Sequence, residues 1–311
     1  MAGGEGNRMA EAPQGLVIVN RQARNGGAAI DAALDVLREA GWRLVEHACA
    51  PGEGTGERIE AVIRRRAGEG FTATLLGGGD GTLNAAAPAL METGLPFGIL
   101  PLGTANDLAR SLDIPPDPVA AARVIAGGTL RAIDLGEVNG HPYFNVASIG
   151  FSAELALRLG REEKKRWGRL GYALAAFRLL RQARPFTAWL AHGGVTERVR
   201  TIQVSVGNGR HYGGGMTVQS DARPDDGKLD VYSLELDHWW RLLALLPALR
   251  RGTQGEWKDV RAFPTLACEI TTRRPMPVNA DGEIKTMTPA RFRLLPGVVR
   301  VFVPSEQGPK P

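Results

Sequence analysis

Short apolar runs alternate with amphipathic segments over the first third of the chain. The run GLVIVN at residues 15–20 predicts a buried strand, and Ile30, Leu34 and Leu37 then recur at helical spacing before a capping glycine, Gly41. The same order of strand and helix continues through residues 42–49, 56–70, 71–76, 82–94 and 96–103. This alternation predicts a doubly wound parallel sheet, in which a ligand binds at the carboxyl ends of the strands.

The pattern changes beyond about residue 132, where most segments read as strands, including residues 291–295 and 298–304 near the C-terminus. Two helical stretches, at residues 168–184 and 237–252, interrupt them. We therefore predict a second, mainly β domain built as a sandwich. The first domain is expected to span residues 14–138, completed by a C-terminal segment near 297–305, and the second to span residues 139–296.

Composition limits the classes of protein to be considered. The 311 residues are 43% hydrophobic, which is enough for a real core. The sequence shows no long uncharged apolar run and no signal-peptide block, and Cys49 and Cys268 lack the spacing of a zinc site, so a cytoplasmic protein is expected. The net charge of +5 is modest, and its basic groups are read as solvated faces or as contacts to an anionic membrane or substrate. No zinc-finger, RNP or basic-zipper pattern indicates a nucleic-acid partner.

A glycine-rich stretch, LLGGGDGTLNAAAPAL at residues 75–90, joins one predicted strand to the next predicted helix. It fits neither the Walker A loop nor the dinucleotide fingerprint. Its glycines nevertheless permit close backbone approach, and the helix expected to start near Thr82 offers unpaired N–H groups. The stretch therefore predicts a phosphate cradle, and a tight turn without a ligand is the alternative.

Asp80, in the middle of this loop, carries a charge that repels phosphate. At a few ångströms the repulsion would cost on the order of several kcal/mol. A Mg²⁺ ion shared between Asp80 and the phosphate oxygens would neutralise it, which indicates phosphoryl transfer.

A second corner, LPLGTANDLAR at residues 100–110, has the same order of strand, glycine, threonine and acid. Gly103 and Thr104 are candidate hydrogen-bond donors there. Asp107 either caps the following helix or joins an acidic cluster with Asp80. Corners on neighbouring strands are expected to face each other.

Six motifs follow one another along the chain. They are GGDGTLN at residues 78–84, PLGTANDLAR at 101–110, FNVASIGF at 144–151, VGNGRHYGGGM at 206–216, DDGKLD at 225–230 and DGE at 281–283. The ordered set strongly resembles the diacylglycerol kinase catalytic family, whose bacterial lipid kinases are related to sphingosine and ceramide kinases. The resemblance implies a nucleotide-binding first domain, like that of NAD kinases and phosphofructokinases, and a β-rich second domain for the lipid substrate.

The resemblance also implies roles for single residues, with ATP lying between the two domains. Glu283 of the DGE motif would act as the base, and Asp80 and Asp107 would form an acidic network that organises Mg²⁺. Asp281 and Gly282 also read as a hairpin turn, and such a turn can present Glu283. The implied nucleotide-binding residues are Asn20, Gly78, Gly79, Asp80, Gly81, Thr82, Asn84 and Thr104.

A separate structural magnesium site is implied at residues 220–230. Asp226 would supply its carboxylate, and Arg223 and Lys228 would contribute only backbone oxygens. The alternative interpretation of this segment is a turn rich in aspartate.

The implied activity is that of a lipid kinase, which transfers the γ-phosphate of ATP to a hydroxyl of a membrane lipid such as diacylglycerol or phosphatidylglycerol. The alternatives are a kinase of a sphingoid or other soluble acceptor, and a noncatalytic nucleotide sensor. Turnover of ATP distinguishes these classes, because a sensor should bind ATP without consuming it in the presence of any lipid.

A lipid substrate implies peripheral contact with an anionic membrane, at its inner face for a cytoplasmic protein. The basic and aromatic segments at residues 157–184 and 237–251 are candidate interfacial helices, although their leucines can equally pack on the β domain. Relatives in the family commonly form dimers, so a homodimer is also considered.

Overall fold

The protein is described here from a computed structural model, which covers residues 12–19, 28–48, 55–158, 177–179, 181–209, 211–212, 216–217, 223–236, 240–251, 253 and 257–305. The first half of the chain alternates between strands and helices. These elements are β1 (Gln14–Val19), α1 (Ala28–Glu39), β2 (Arg43–Ala48), α2 (Thr55–Arg66), β3 (Ala73–Gly78), α3 (Asp80–Thr93), β4 (Phe97–Pro101), α4 (Asp107–Ser111) and α5 (Pro118–Ala126).

The first four strands form a parallel sheet in the order β2-β1-β3-β4. Helices α1 and α5 contact each other, as do α2 and α3, and right-handed crossovers place these pairs on opposite faces of the sheet. After β1 the chain continues to β2 on one side of the sheet, and after β3 it continues to β4 on the other side. The crevice between β1 and β3 is therefore the topological switch point. The predicted doubly wound sheet is confirmed, and its switch point lies beside the glycine loop.

The second half is built mainly from strands. Its elements are β5 (Leu130–Val138), β6 (His141–Tyr143), β7 (Val146–Gly150), α6 (Phe151–Arg158), β8 (Phe186–His192), β9 (Val195–Thr201), β10 (Gln203–Gly207), β11 (His211–Tyr212), β12 (Met216–Thr217), β13 (Leu229–Leu234), α7 (Trp240–Arg251), β14 (Val260–Thr265), β15 (Ala267–Thr272), β16 (Pro277–Ala280), β17 (Glu283–Met287) and β18 (Ala290–Phe302).

One long strand joins the two halves of the molecule. β18 pairs with β5 and β15 in antiparallel fashion, and near its end Val301 pairs with Phe97 of β4 in parallel. Residues 291–295 and 298–304, which read as two strands, thus belong almost entirely to one, with an irregular register between Leu295 and Val299. The ten-stranded sheet continues from the parallel strands through β18 to β15, β8 and β9.

A second, antiparallel sheet packs on this extension in the order β14-β13-β10-β7-β16-β17. Residues from both sheets, among them Ala188, Ile270 and Val204, fill a shared core, which confirms the predicted sandwich. A separate core fills the α/β layers around β1 and β3.

Of the two predicted helical stretches, the structure describes most of the second and little of the first. Most of residues 168–184 lies outside the described residues. In α7, Leu245 and Ala248 are buried in a small cluster with Tyr232 and Leu234 of β13. Part of the apolar side of α7 therefore packs on the β domain. No helix among the described residues is long and apolar enough to span a bilayer.

Asp134 on β5 ties three segments together. Its buried carboxylate accepts a hydrogen bond from the Gly227 backbone N–H at 2.9 Å through Oδ2, and one from the Gly297 N–H at 2.8 Å through Oδ1. Its own N–H donates to the Pro224 carbonyl at 2.7 Å. The carboxylate thus links β5 to the loop before β13 and to the irregular part of β18.

We expect Asp134→Asn to lower the free energy of unfolding by about 2 kcal/mol, because the amide nitrogen places a donor against a buried N–H donor. Urea denaturation measures the loss. Asp117→Asn is the matched control. Asp117 Oδ2 caps α5 by accepting from the Ala120 N–H at 2.9 Å, and asparagine caps about as well, so that change should be near neutral. Equal losses in both variants would contradict the role given to Asp134.

Candidate active site

The glycine loop forms the corner between β3 and α3. Gly78 ends β3, Gly79 is the N-cap of α3, and Asp80 is its first residue, so the helix begins two residues before the expected Thr82. The second corner, after the neighbouring strand β4, lies alongside, because the Leu102 N–H donates to the Gly78 carbonyl at 2.9 Å. The structure therefore brings the two predicted corners together.

The contact between the corners requires glycine on both sides. A Cβ at Gly79 would lie 3.0 Å from Gly103 Cα, and a Cβ at Gly103 would lie 2.6 Å from both Gly79 Cα and Asn106 Oδ1. Asn106 closes the second corner, since its Oδ1 accepts from the Gly103 N–H and its Nδ2 donates to the Gly103 carbonyl, both at 3.0 Å. No side chain larger than hydrogen fits between these backbones without displacing one of them.

Asp80 reaches from one corner to the other. Its Oδ1 accepts a hydrogen bond from the Leu108 N–H at 3.2 Å, in the first turn of α4. Asn106, the N-cap of α4, makes no side-chain cap bond, so Asp80 supplies the cap from the other corner. The carboxylate of Asp80 therefore lies at the start of α4, where buried Asp107 is the first residue.

Three of the other predicted nucleotide contacts lie at or beside these corners. Thr82 and Asn84 lie in the first turns of α3 and are buried, and Asn84 Oδ1 has no hydrogen-bond partner among the described residues. Thr104 is exposed and lines a cavity of about 590 Å³ together with Gly103 and Arg110. Asn20 lies outside the described residues. The roles of these residues stay predictions.

The DGE motif forms a two-residue hairpin turn between β16 and β17. Asp281 and Gly282 have φ angles of 46° and 88°, and Ala280 pairs with Glu283 across the turn. The hairpin interpretation is confirmed. Glu283, the predicted base, begins β17, and its Oε2 lies 2.8 Å from Lys285 Nζ on the same side of the strand. Sequence reasoning missed Lys285, although the two-residue spacing was available as a signal.

Asp281 is a partly buried carboxylate that anchors this turn. It accepts hydrogen bonds from the backbone N–H groups of Phe144 at 2.7 Å, Asn145 at 3.1 Å and Val146 at 3.0 Å. Desolvation, and to a lesser extent the nearby Asp80 charge, raise the pKa of Asp281 to about 6, although the three backbone N–H donors act to lower it. Asp281 was read only as a turn residue, and its link to residues 144–146 required the fold.

Two further contacts bring the domains together at this point. β6 contacts α3, and β11 contacts α4. Together with the influence of Asp80 on Asp281, they show that the Asp281 turn faces the two glycine corners. Asp80, with Asp107 beside it at the start of α4, and the turn that precedes Glu283 therefore lie at the boundary between the two domains, which we call the interdomain cleft.

A magnesium ion bound together with nucleotide phosphates fits the donors of this cleft. Among the described residues, no group of three or more His, Cys, Asp or Glu side chains is arranged to hold a metal ion. Mg²⁺ in phosphoryl-transfer sites, however, commonly takes one or two carboxylates, phosphate oxygens and water. Asp80 and Asp107 supply two carboxylates beside a glycine cradle, which matches that requirement.

The Asp226 loop, where a structural magnesium ion is predicted, is held together by hydrogen bonds within the loop. Asp226 Oδ2 accepts from the Arg223 N–H at 3.1 Å, Oδ1 accepts from the Lys228 N–H at 3.3 Å, and Lys228 Nζ lies 3.8 Å away. The Asp226 N–H also donates to the Arg223 carbonyl at 3.4 Å. Burial raises the pKa of Asp226, and nearby Asp134 adds to this effect. The described residues of the loop satisfy one another and do not form a metal-binding set, so the structural magnesium stays a prediction.

The comparisons with known proteins agree with this arrangement. The family model of the diacylglycerol kinase catalytic domain matches residues 14–138, and the model of the YegS C-terminal NAD kinase beta sandwich-like domain matches residues 145–303. The chain belongs to the diacylglycerol kinase family. The resemblance inferred from the six motifs is thereby confirmed, and the chain is a member of a family of lipid kinases.

Relatives in this family align over nearly the whole chain. A protein of Pseudomonas aeruginosa named "Probable lipid kinase YegS-like" is 35% identical over 296 residues, covering 93% of this chain and 94% of its own. A diacylglycerol kinase of Mycobacterium tuberculosis is 32% identical over 288 residues, with 89% and 91% covered. A crystal structure of a diacylglycerol kinase from Bacillus anthracis has a TM-score of 0.76 at 24% identity, covering 93% of this chain and 96% of that chain, and supports the fold.

We expect Gly103→Ala to destabilise the protein by about 2 kcal/mol or more, because the added Cβ would overlap Gly79 Cα and force the two corners apart. Urea denaturation measures the change. Gly68→Ala is the matched control, since nothing lies within 4 Å of a Cβ there. If both variants unfold at the same urea concentration, the close contact of the corners is not what requires glycine.

Asp281 should make stability depend on pH. Its folded pKa of about 6 lies above the usual 3.8, so its contribution to stability is full below about pH 4 and is lost as pH rises through about 6. The loss amounts to about 2 to 3 kcal/mol.

Urea denaturation of the wild type and Asp281→Asn from pH 4 to pH 7.5 measures this effect. The stability advantage of the wild type over the variant should shrink across that interval. A difference between the two proteins that does not change with pH would show that Asp281 titrates normally.

Proposed function

We propose that this protein is an ATP-dependent lipid kinase that transfers the γ-phosphate to a hydroxyl of a membrane lipid, such as diacylglycerol or phosphatidylglycerol. The observation that carries the proposal is the interdomain cleft, in which two glycine corners at the switch point face the turn that bears Glu283. The names of the relatives from Pseudomonas aeruginosa and Mycobacterium tuberculosis support the lipid as the acceptor class.

In this proposal the first corner and the N-terminus of α3 bind the phosphates of ATP. The glycines let backbone N–H groups approach the phosphate oxygens, and the partial positive charge of the helix start favours the anion. The unpartnered Asn84 Oδ1 and the exposed hydroxyl of Thr104 are available for further contacts.

Asp80 and Asp107 would hold Mg²⁺, which, when bound, supplies neutralisation of charge on the transferred phosphate. The hydrogen bond from the Leu108 N–H fixes the orientation of the Asp80 carboxylate before any ligand arrives. An oriented carboxylate avoids part of the entropy cost of forming the site.

Glu283 takes the proton of the acceptor hydroxyl as its oxygen attacks the γ-phosphorus. The hairpin places Glu283 at the first position of β17, two residues after Asp281, and the three N–H donors to Asp281 fix the turn. Lys285 Nζ, 2.8 Å from the Glu283 carboxylate, positions it.

Transfer of labelled γ-phosphate from ATP to lipids in mixed micelles tests the proposal. The panel comprises diacylglycerol, phosphatidylglycerol, a sphingoid base and ceramide. We expect one lipid to be labelled, with kcat lowered about 100-fold or more in Glu283→Gln and in Asp80→Asn, since a base and a metal ligand are lost. Glu39→Gln, an exposed change at the end of α1, should leave kcat unchanged.

Two other outcomes would replace the proposal. Label in a soluble acceptor and in no lipid would make the protein a kinase of a small molecule. Tight ATP binding without transfer to any acceptor would make it a noncatalytic sensor. The cytoplasmic, membrane-peripheral location and the homodimer stay predictions.

A further inference from the structure

One exposed sheet face combines a tryptophan with several arginines. In β8 and β9, Trp189 pairs with Arg198 and Thr187 pairs with Arg200, and on the other side Trp189 pairs with Thr271 of β15. Because side chains alternate along a strand, these residues share one face, and Arg273 follows just after the end of β15. We call this surface the Trp189 face.

The opposite side of the same strands is the core of the sandwich. Ala188, Leu190, Val199 and Ile270 alternate with the residues of the Trp189 face and are buried. The Trp189 face therefore points away from the second sheet. β9 is the last strand of the ten-stranded sheet, so the face extends to the edge of the molecule's larger sheet.

The arginines of this face lack acidic partners. Arg198, Arg200 and Arg273 are exposed, and within the described part of the chain their side chains form no ion pair and no hydrogen bond. Two other exposed arginines of the β domain, by contrast, are paired with carboxylates. Arg291 lies 3.2 Å from Glu269, and Arg293 lies 2.7 Å from Glu137.

The nearest acid on β9 does not compensate these charges. Glu197 pairs across the strands with Leu190, whose side chain is in the core, so Glu197 lies on the opposite face from Arg198. There it forms ion pairs with Arg261 and His192. The Trp189 face therefore keeps an uncompensated positive charge around a partly exposed aromatic ring.

We propose that the Trp189 face binds the surface of an anionic phospholipid bilayer. Arginines near such a surface are attracted by its negative potential, and tryptophan prefers the boundary between headgroups and acyl chains. Charged residues on an edge strand also hinder pairing with another sheet, which explains Arg198 and Arg200 but not the tryptophan between them.

This assignment moves the expected membrane contact from the helices to the sheet. Leu245 and Ala248 of α7 are already buried against the β domain. The inference rests on the proposed function in one respect, namely that a kinase of a membrane lipid has to reach a bilayer. Vesicle binding is measured without ATP, so its failure and a failure of phosphate transfer are separate results.

Sedimentation with vesicles of phosphatidylcholine alone and of phosphatidylcholine with 30% phosphatidylglycerol tests the proposal at low salt. The full chain is compared with Arg198→Glu/Arg200→Glu. We expect the wild type to bind only the anionic vesicles and the variant to lose at least about tenfold in partition coefficient. High salt should reduce wild-type binding, because exposed charges are screened.

The matched control is Arg65→Glu/Arg123→Glu, which changes net charge equally at two exposed arginines of α2 and α5. It should retain most of the binding. Thermal unfolding checks that each variant is folded, and Arg198→Gln/Arg200→Gln replaces the charge reversal if that variant is not.

Three results would overturn the proposal. The first is equal loss in both charge-reversed variants, which would mean that net charge alone drives binding. The second is no binding of the wild type to anionic vesicles. The third is a wild-type dimer in solution that Arg198→Glu/Arg200→Glu dissociates without affecting vesicle binding, which would assign the face to a second copy of the chain.

Discussion

The arrangement of the site depends on two backbones that approach each other without side chains between them. Gly79 and Gly103 follow the ends of adjacent parallel strands. A Cβ at Gly79 would lie 3.0 Å from Gly103 Cα, and a Cβ at Gly103 would lie 2.6 Å from Gly79 Cα, so both would be too close. Because the corners are in contact, the Asp80 carboxylate reaches the N–H of Leu108 and caps a helix that has no other side-chain cap. Two separate sequence motifs thereby become one rigid unit.

On the side of the second domain, the residue near this unit is Asp281, whose carboxyl group has a raised pKa. Asp281 is partly buried, and even with three backbone N–H donors its pKa is raised to about 6. A raised pKa in a cleft, caused by burial and by a neighbouring carboxylate, is typical of sites that bind a cation or move a proton. The same hydrogen bonds fix the turn that carries Glu283, so the pH-dependent cost in stability at Asp281 and the position of the proposed base have the same structural origin.

Sequence reasoning recovered the parts that local patterns encode. The strand and helix alternation, the glycine corners and the Asp-Gly hairpin each follow from spacing within about fifteen residues, and the family followed from the order of six motifs. The start of α3 was placed at Thr82 rather than Asp80, because the pattern does not reveal that Gly79 takes the cap position. The consequence is that Asp80 belongs to the helix and points toward α4.

Long-range contacts were beyond this reasoning. Asp134 accepts hydrogen bonds from glycines 93 and 163 residues further along the chain, and nothing in its neighbours on β5 indicates either partner. β18 looked like two strands because its apolar pattern breaks where its register shifts, between Leu295 and Val299. Its role in extending the parallel sheet into the sandwich depends on pairing with β4 and β5, which only the assembled fold supplies.

The two interpretations of Asp80, a helix cap and a metal ligand, are compatible. A carboxylate has two oxygens with about four acceptor positions, and the Leu108 N–H uses one of them at Oδ1. The cap removes rotational freedom from the side chain, and a ligand that is already oriented loses less entropy on binding. The acid that opposes phosphate in the glycine loop is therefore held by the structure in one direction, toward the start of α4, so that a cation between it and the phosphate would meet a preorganised partner.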